Sequence, residues 1–420
     1  MSDERPIDPS RRALLGGAAA MAAGALLKQV PVPAQSPAPA PGQPTLAVPD
    51  DPTAAPGPGT TAISVRSPFE TPARTPTGVV TGSAFSPIHQ LTGTITPSDL
   101  MFERHHAGVA VIDPAKYELL VHGFTERAMV FTLDDLKRFP SVSRVHFLEC
   151  SGNGRVGYRD PKAELSPQMV DGLTSNGEWT GVPLATLFRE VGVRDRASWF
   201  LAEGGDAAKL SRSIPIAKGW DDALVVYAFN GEPLRPANGY PVRLFLPGYE
   251  ANTCVKWLRR IELIDQPNMS RDETSKYTDP LPDGTARQFS FVMDAKSTIT
   301  EPAFPARIPR AGWVQISGIA WSGRGRIARV DVSTDGGKSW SAAELQAPVL
   351  AMAHTRFRMM WEWDGRAATL MSRAVDETGY VQPTLAAFQA GRGRGTDFHF
   401  NHIRAWSVQP DGRVFYGAGA

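Results

Sequence analysis

Residues between about 95 and 285 alternate between two hydrophobic patterns, one with the period of a helix and one with the period of a strand. Val182 to Gly192 carries apolar residues on one helical face, with a proline in the first turn and a glycine at the end, which predicts an amphipathic helix. Thr132-Leu-Asp-Asp135 has the form of a capping box that starts a short helix, and Pro140 stops that helix. Arg144 to Glu149 and Tyr240 to Leu246 are typical of strands. This mixture predicts an α+β domain.

The pattern changes after about residue 290, where strand-like alternation takes over. Trp313 to Ala320 alternates with period two, and Ile327 to Val332 leads into the hairpin signal Asp335-Gly-Gly337. Six of the ten tryptophans lie beyond residue 300, and no helical pattern is evident there. Residues 290–420 are therefore predicted to form a β-sandwich without helices.

The N-terminal segment has the proportions of an export signal. Arg11 and Arg12 precede Ala13 to Leu27, which carries no charge. The paired arginines resemble a twin-arginine signal, predicted over residues 1–34, which would place the mature protein in the periplasm. The alternatives are a short membrane anchor and an ordinary arginine pair. Ten prolines between residues 31 and 60 predict a Pro/Ala-rich disordered linker over residues 35–84, with folded structure from residue 85.

Composition narrows the possible functions. The chain has 420 residues, 42% of them hydrophobic, and its 44 Lys and Arg nearly balance 43 Asp and Glu. This size predicts more than one domain, and a net charge of +1 does not favour nucleic-acid binding. No stretch after the N-terminus is long and apolar enough to span a membrane. The sequence also lacks a CxxCH haem motif, a GxSxG elbow, a P-loop and a dinucleotide fingerprint.

The strongest candidate for chemistry is Cys150 in Phe147-Leu-Glu-Cys-Ser-Gly-Asn-Gly-Arg155. A thiol at the end of a strand, followed by a Gly-rich loop and an arginine, is suited to hold a soft metal beside an anion. Two other interpretations stay open, a buried structural thiol and a disulfide with Cys254. Because the loop and the arginine accompany only the first cysteine, we expect Cys150 to be the metal ligand and expect no disulfide.

Other candidate residues are weaker when they are taken singly. The pair His105-His106 lacks the spacing of a zinc site. Asn230 to Arg243 and Val255 to Leu258 place cations near aromatic residues and turns. Such segments form either a solvated face or a site for a large anionic ligand.

Taken in order, these segments resemble the sulfite oxidase family of molybdenum enzymes over about residues 95–410. Phe102-Glu-Arg-His-His106 is similar to the family's F-x-R-N-H segment, and Cys-Ser-Gly-Asn-Gly-Arg155 is similar to its C-A-G-N-R-R loop. Further similarity lies in Glu203-Gly-Gly-Asp206, Asn238-Gly-Tyr-Pro-Val-Arg243, Val255-Lys-Trp-Leu258, Ala320-Trp-Ser-Gly323, Arg329-Val-Asp-Val-Ser333 and Asp335-Gly-Gly-Lys-Ser-Trp340. Within the family, Arg271 to Thr278 and Asp283 to Phe289 most resemble the molybdenum subunit of sulfane dehydrogenases.

The resemblance implies a mixed α+β molybdopterin-binding domain over residues 85–289 and an immunoglobulin-like dimerisation domain over residues 290–420. It implies a molybdenum–molybdopterin cofactor with Cys150 as the thiolate ligand of the metal. The residues implied to bind the cofactor are His106, Cys150, Asp206, Asn238, Arg243 and Lys256. The residues implied to face the substrate are Arg104, Arg155 and Tyr277.

Three features depart from the family pattern. Asn238 stands where the family has a cofactor-contacting histidine, and Gly154 replaces the first arginine of the cysteine loop, which puts the charge of the pocket in question. The loop as a whole is closer to that of sulfite dehydrogenases than to the Cys-Pro-Ala-Asn-Gly-Gly form of sulfane dehydrogenases.

The implied activity is the two-electron oxidation of sulfite or of protein-bound sulfane sulfur, with electrons passed to a separate c-type cytochrome. The substrate would be a small sulfur oxyanion or a sulfur-carrier protein, and the enzyme would be a homodimer. One alternative is a molybdenum-dependent sulfoxide reductase built on the same core. Another, from a different class, is a cofactor-free periplasmic binding protein.

Overall fold

The computed structural model describes residue 57 and residues 59–417. The predicted export signal, residues 1–34, and the predicted linker as far as residue 56 lie outside the described residues. The chain divides into a first unit that ends at Val65 and a second unit that begins at Arg66. The described part of the first unit contains no helix or strand, and the fold below is that of the second unit.

The strands of the described residues are β1 (Thr75–Gly78), β2 (Gly82–Phe85), β3 (Glu103–His105), β4 (Glu118–Gly123), β5 (Met129–Thr132), β6 (Val142–Glu149), β7 (Thr174–Pro183), β8 (Trp199–Gly204), β9 (Ser211–Pro215), β10 (Leu224–Phe229), β11 (Glu232–Pro233), β12 (Arg243–Phe245), β13 (Leu258–Ile264), β14 (Asp279–Pro280), β15 (Ala286–Arg287), β16 (Lys296–Glu301), β17 (Gly312–Trp321), β18 (Ile327–Ser333), β19 (Ser341–Ala342), β20 (Glu344–Leu345), β21 (Thr355–Trp363), β22 (Ala368–Asp376), β23 (Ala405–Val408) and β24 (Val414–Gly417). The α-helices are α1 (Leu133–Arg138), α2 (Arg155–Arg159), α3 (Pro167–Asp171), α4 (Leu184–Val191), α5 (Ile216–Asp221) and α6 (Leu385–Arg392). Short 3-10 helices cover Ser98–Leu100, Pro114–Lys116 and Pro236–Asn238, and a π-helical turn covers Asp272–Lys276.

The first domain contains two five-stranded sheets around one core. One sheet has the order β5-β4-β13-β8-β9, in which β4 and β13 are parallel. The other has the order β11-β10-β7-β6, and β12 also pairs with β10. The shared core includes the buried aromatic side chains of Trp179, Phe188, Phe200 and Phe245. This arrangement confirms the predicted mixed α+β class.

The second domain is a sandwich of two antiparallel sheets, β16-β17-β21-β20 and β19-β18-β22-β23-β24. Its core contains Ile316, Val330, Leu370 and Trp406, and the same cluster includes Val170 of α3 in the first domain. The two domains therefore share apolar packing as well as a chain connection. The predicted immunoglobulin-like sandwich is confirmed.

Several local predictions agree with the structure. Thr132 and Asp135 form the reciprocal capping box at the start of α1. Helix α4 buries Leu187 and Phe188 and ends at Gly192, whose φ of +66° suits a residue without a side chain. The two cysteines are both free, so the disulfide is absent from the described residues. In the part of the chain that is described, no helix is both long and apolar enough to cross a bilayer.

Two predictions about where secondary structure occurs were wrong. The predicted linker extends to residue 84, but β1 and β2 already form an antiparallel hairpin there, and β2 pairs with β3. The hairpin itself is local, but the strand that extends its sheet, β3, lies about twenty residues later, and the short segments of β1 and β2 have no alternating apolar pattern. The second domain also contains a helix, α6, although no helical pattern was evident. Phe388 is the only buried residue of α6, which leaves almost no apolar periodicity to detect.

Candidate active site

The loop that carries Cys150 joins β6 to α2, and we call residues 150–155 the Cys150 loop. The Cys150 amide donates to the carbonyl of Leu173 at 3.0 Å, and the Asn153 amide donates to the carbonyl of Cys150 at 2.9 Å. The side chain of Asn153 donates to Glu149 and accepts from the Leu173 amide, both at 2.9 Å. These bonds fold the loop back on its own strand and leave the Cys150 side chain partly exposed.

An inner cavity of about 670 Å³, including its open mouth, lies beside the thiol. Eight of the nine predicted site residues line it, namely Arg104, His106, Cys150, Asp206, Asn238, Arg243, Lys256 and Tyr277. The ninth, Arg155, lines an outer cavity of about 1300 Å³ instead. Arg104, His106, Cys150 and Tyr277 line both cavities, so the thiol stands where the two meet.

The inner end of the first cavity offers polar atoms that have no partner. Arg243 is buried and donates to the carbonyls of Asn238 and Cys254, both at 2.9 Å, but its Nε has no partner among the described residues. Burial lowers the pKa of Arg243 to about 10. Asp206 is also buried, and its Oδ1 accepts no hydrogen bond from the part of the chain that is described. A buried donor and a buried acceptor without partners are costly unless a polar ligand satisfies both.

Lys256 contributes to this cavity in a different way from Arg243. Its ammonium faces the carbonyls of Arg104 and Ala237, each at 3.0 Å, and Nδ1 of His105 at 2.9 Å. Burial, followed by the charge of Arg243, lowers the pKa of Lys256 well below its ordinary value. Because its three protons already have acceptors, Lys256 fixes the Arg104–His105 backbone.

His105 and Trp257 are part of the site and were not among the predicted residues. The two rings stack with their centroids 6.1 Å apart, and Nε2 of His105 lies 3.0 Å from the carboxylate of Glu103. The adjacent histidines and the Lys-Trp dipeptide are the only sequence signals at these positions. Neither signal shows that the two rings pack together.

Tyr277 and His106 form a pair at the junction of the cavities. The tyrosine hydroxyl and Nε2 of His106 are 3.2 Å apart. Burial, followed by the charges of Arg104 and Lys256, lowers the pKa of His106 to about 4, which keeps its imidazole neutral at pH 7. Burial, followed by the Cys150 charge, raises the pKa of Tyr277 and keeps its proton in place.

Arg212 packs against the ring of this tyrosine and was not predicted from the sequence. Its guanidinium lies 5.0 Å from the centre of the Tyr277 ring, and it donates to Asn252. It is fully buried, with carboxylate oxygens of Glu250 and Glu273 at 3.6 and 3.8 Å. Nothing in the Ser-Arg-Ser segment around Arg212 distinguishes it from a surface arginine.

The charges around the thiol have opposing effects. Burial raises the pKa of Cys150, whereas a hydrogen bond from the Gly152 backbone and the charges of Arg104 and Arg155 act in the opposite direction. Arg155 does not point freely into the cavity, because its guanidinium donates to the carbonyl of Asp397 at 2.6 and 3.1 Å. Arg104 is partly committed too, with one nitrogen donating to the carbonyls of Gly82 and His105.

The structure accounts for the glycine at position 154. Gly154 has a φ of +97°, and a Cβ atom there would lie 2.3 Å from Nη2 of Arg404. The Arg404 guanidinium is buried and pairs with Asp171 at 3.3 Å, so it occupies the space without adding charge to the cavities. Asn238, the other departure, donates to the carbonyl of Phe102 at 3.2 Å and lines the inner cavity.

A thiol at the junction of two cavities, with buried polar atoms in the inner one, is a site that can hold a cofactor, and the comparisons with known proteins give the class of protein as a molybdopterin oxidoreductase. Residues 106–271 match the family described as "Oxidoreductase molybdopterin binding domain", and residues 287–405 match "Mo-co oxidoreductase dimerisation domain". The chain is 32% identical to mitochondrial sulfite oxidase of Mus musculus over 324 residues, which are 70% of this chain and 58% of that protein. A nitrate reductase [NADH] of Solanum lycopersicum is 29% identical over 330 residues, covering 69% of this chain and 36% of that protein.

A solved structure covers nearly the whole described chain. The sulfane dehydrogenase SoxCD from Paracoccus pantotrophus matches with a TM-score of 0.84 and 44% identity, over 88% of this chain and 99% of that one. The protein thus belongs to the sulfite oxidase family of molybdopterin oxidoreductases, whose cofactor is molybdenum–molybdopterin. The chain spans a little over half the length of the curated sulfite oxidases it matches.

Proposed function

We propose that this protein is a molybdenum-dependent dehydrogenase that oxidises sulfite or protein-bound sulfane sulfur and passes the electrons to a c-type cytochrome. The observation that carries the proposal is the position of Cys150 between two unlike cavities. The inner cavity has the unpartnered atoms of Arg243 and Asp206. The outer cavity is wide and has Arg104, Arg155 and Lys276 in its wall, which favours an anionic substrate.

The inner residues suit the cofactor of the family. Cys150 Sγ would bind the molybdenum, since a thiolate is the protein ligand that a soft metal prefers. Arg243 Nε would donate a hydrogen bond to the pterin, and Asp206 Oδ1 would accept one from it. His106 and Asn238 would line the cavity around the pterin. When bound, the cofactor supplies the two-electron redox chemistry. Orientation, charge and exclusion of water then fall to the protein.

The residues at the junction would receive the substrate. The free nitrogens of Arg104 would attract an oxyanion, because a guanidinium stays charged and binds oxyanions at two points. The Tyr277 hydroxyl would donate to an oxygen of the substrate, and the neutral imidazole of His106 is close enough to orient that hydroxyl. No residue is required as a general base for this role.

A second candidate is a reductase of oxygen-bearing substrates on the same core, which includes the sulfoxide reductase alternative. The similarity to a nitrate reductase favours it, because that relative aligns with 69% of this chain at 29% identity. A cofactor-free binding protein is disfavoured, since it leaves the buried Arg243 and Asp206 atoms without partners. Reduction of an added c-type cytochrome by sulfite or thiosulfate would support the dehydrogenase, whereas sulfoxide- or nitrate-dependent oxidation of a reduced dye would support the reductase.

Location and assembly complete the proposal. The paired arginines near the N-terminus support export to the periplasm, where c-type cytochromes are found. The match of residues 287–405 to a dimerisation domain supports a homodimer. The outer face of β17 and β21 offers a surface for it, because Trp313 and Met360 are both exposed there.

Replacement of the two cysteines tests the proposal most directly. Cys150→Ser should lose bound molybdenum and nearly all sulfite:cytochrome activity, because a hydroxyl is a poor ligand for the soft metal. Cys254→Ser is the matched control, since that thiol is buried, bonds only to Leu246 and should keep both properties. The readouts are molybdenum per chain by elemental analysis and the rate of cytochrome reduction. Normal metal content and turnover in Cys150→Ser would refute the assignment.

A further inference from the structure

A group of second-domain side chains packs against the Cys150 loop and the residue that precedes it. Lys296 is the first residue of β16, and its ammonium is buried 3.1 Å from Oε1 of Glu149, the residue that precedes Cys150. The same ammonium lies 2.7 Å from Asp171 in α3 and 3.4 Å from the carbonyl of Asn153 within the loop. One cation from the second domain thus contacts three points that surround the cysteine.

Trp321, at the end of β17, completes the attachment of Glu149. Its indole Nε1 donates to Oε2 of Glu149 at 2.6 Å, and its ring lies 5.6 Å from the Lys296 ammonium. Both carboxylate oxygens of Glu149 are therefore bonded, one to Trp321 and the other to Lys296 and Asn153. Because Glu149 cannot rotate without breaking these bonds, the backbone that leads into Cys150 is held.

Two further contacts from the second domain reach the loop itself. The His399 amide donates to the carbonyl of Ser151 at 2.7 Å, and the Asp397 carbonyl accepts from Arg155. Contacts from the first domain are the Leu173 backbone and the side chain of Asn252, which donates to Ser151 Oγ at 3.1 Å. The loop is consequently clamped from both domains.

The buried charges balance only as a set of four. Glu149 and Asp171 supply two negative charges, and Lys296 and Arg404 supply two positive charges, all four almost completely buried. Removal of one partner leaves a buried charge uncompensated, which strongly destabilises the local arrangement. Whether Glu149 then moves or takes up a proton, its bonds to Lys296 and Trp321 change, and the backbone of the adjacent cysteine is held less firmly.

We propose that Lys296 and Trp321 are positioning residues that set where the Cys150 thiolate stands, so that the second domain shapes the metal site in addition to any role in assembly. This inference rests on the proposed function in one respect, the role of Cys150 as the metal ligand. The contacts that carry it are those of the protein alone. A substrate or cytochrome partner is not needed for it to hold.

The test compares the reactivity of the two cysteines in the full-length protein produced without cofactor. Lys296→Met should raise the rate of Cys150 alkylation by iodoacetamide about tenfold or more, because the loosened loop exposes the thiol. Cys254 also lines the inner cavity, but its thiol is buried and bonded to the backbone of Leu246, so as the internal reference it should be unchanged. Lys296→Arg, which keeps the charge, should restore most of the slow rate. Mass spectrometry of each cysteine peptide gives the two rates.

Two more variants separate positioning from stability. Trp321→Phe removes only the indole donor and should raise the Cys150 rate by a smaller factor, and it decides the question if Lys296→Met does not fold. Ser297→Ala is the matched control, since its hydroxyl bonds to Gln382 and Ser372 inside the sandwich and not to the loop. It should lower the melting temperature and leave the Cys150 rate unchanged.

The molybdenum-loaded protein gives an independent readout. Lys296→Met and Trp321→Phe should shift the g values of the Mo(V) electron paramagnetic resonance signal, because the orientation of the thiolate sulfur affects them. Lower melting temperatures with unchanged alkylation rates and g values in both variants would overturn the proposal. A wild-type protein that binds molybdenum but does not oxidise sulfur compounds would contradict the proposed function and leave this inference intact.

Discussion

Single residues in the site differ in how much of their bonding capacity is already used. Lys256 and Arg155 have the charge that an anionic ligand needs, but their donors are bonded to backbone carbonyls. Arg243 and Asp206 keep one buried polar atom each without a partner. Because a buried polar atom favours a partner and both of these residues line the inner cavity, the second pair is the better candidate for contacts with a ligand.

Arg104 has unused hydrogen-bond donors at the place where the substrate is proposed to bind. Only one nitrogen of its guanidinium has a protein acceptor, so we expect the others to bind an anionic sulfur substrate. Arg104→Gln should raise the KM for sulfite about ten- to a hundredfold, since a charge-assisted contact is worth roughly 1.5–3 kcal/mol. Steady-state kinetics and thermal unfolding of the same preparation measure the two effects.

The control for Arg104 is Arg271→Gln. Arg271 is exposed and has only a long ion pair with Asp272 at 3.9 Å, so its loss should change KM by less than about threefold. If Arg104→Gln keeps the wild-type KM but unfolds at a much lower temperature, Arg104 is a structural residue.

At the scale of elements, the turn between β6 and α2 has the tightest steric constraint in the site. Gly154 is in the left-handed region, and the Arg404 guanidinium fills the space that a side chain would need. The family arginine at this position is therefore incompatible with the Arg404–Asp171 pair seen here. Loop sequence and second-domain packing are coupled at this one residue.

Gly154→Ala should destabilise the protein by more than its backbone conformation alone requires. The left-handed backbone costs an alanine about 1–2 kcal/mol. Displacement of Arg404 from Asp171 adds roughly 1–3 kcal/mol, because a buried carboxylate loses a charged partner. Gly231→Ala is the control, with a similar φ of +78° and no atom within 4 Å of its added Cβ. Equal unfolding free energies for the two variants would show that Arg404 moves aside without cost.

At the scale of the whole molecule, two histidines lie in the contact between the two domains. His354, which directly precedes β21, is hydrogen-bonded to Thr174 Oγ1 at 2.9 Å, and His146 of β6 is hydrogen-bonded to the carbonyl of Ala351 at 3.3 Å. Burial lowers the pKa of His354 to about 3 and that of His146 to about 4. Both rings are therefore neutral in the folded protein under ordinary conditions.

Stability should consequently fall in mild acid. Below the ordinary histidine pKa of about 6.5 the unfolded chain binds protons that the folded protein excludes, so the contribution is full above that pH and declines below it. Each of the two histidines should cost about 1.4 kcal/mol per pH unit between about pH 6 and its folded pKa. Denaturant unfolding from pH 7 to 5 measures the slope. His354→Gln should reduce it, and an unchanged slope would mean that His354 is protonated in the folded state.

Assembly is the other property of the whole molecule. Of the six tryptophans in the second domain, Trp321, Trp363 and Trp406 are buried, whereas Trp313 is 67% exposed. We expect Trp313→Asp to convert a homodimer to monomers at micromolar concentration, because aromatic residues are enriched at the centres of such interfaces. Light scattering of the full-length protein measures the mass. Val111→Asp, a change at an exposed apolar residue of the first domain, should leave the dimer intact. A dimer that survives Trp313→Asp would place the interface elsewhere.

The sequence by itself determined the features that depend on neighbouring residues. The capping box at Thr132, the apolar face of α4 and the glycine that ends it are local, and each lies where the pattern predicts. The motif residues of the site also share one cavity, apart from Arg155. Motif order predicts this convergence because each motif belongs to a family pattern that covers the whole fold.

Only the tertiary structure decided what depends on distant partners. Strand β2 pairs with the distant β3, helix α6 buries only Phe388, and Arg212 contacts Tyr277, which lies 65 residues later in the chain. The same holds for Lys296, which lies 147 residues from Glu149 in sequence and 3.1 Å from it in space. A buried ion pair leaves no periodic pattern in the sequence, because it joins two side chains at a single point in space, where their mutual attraction offsets the cost of removing both from water.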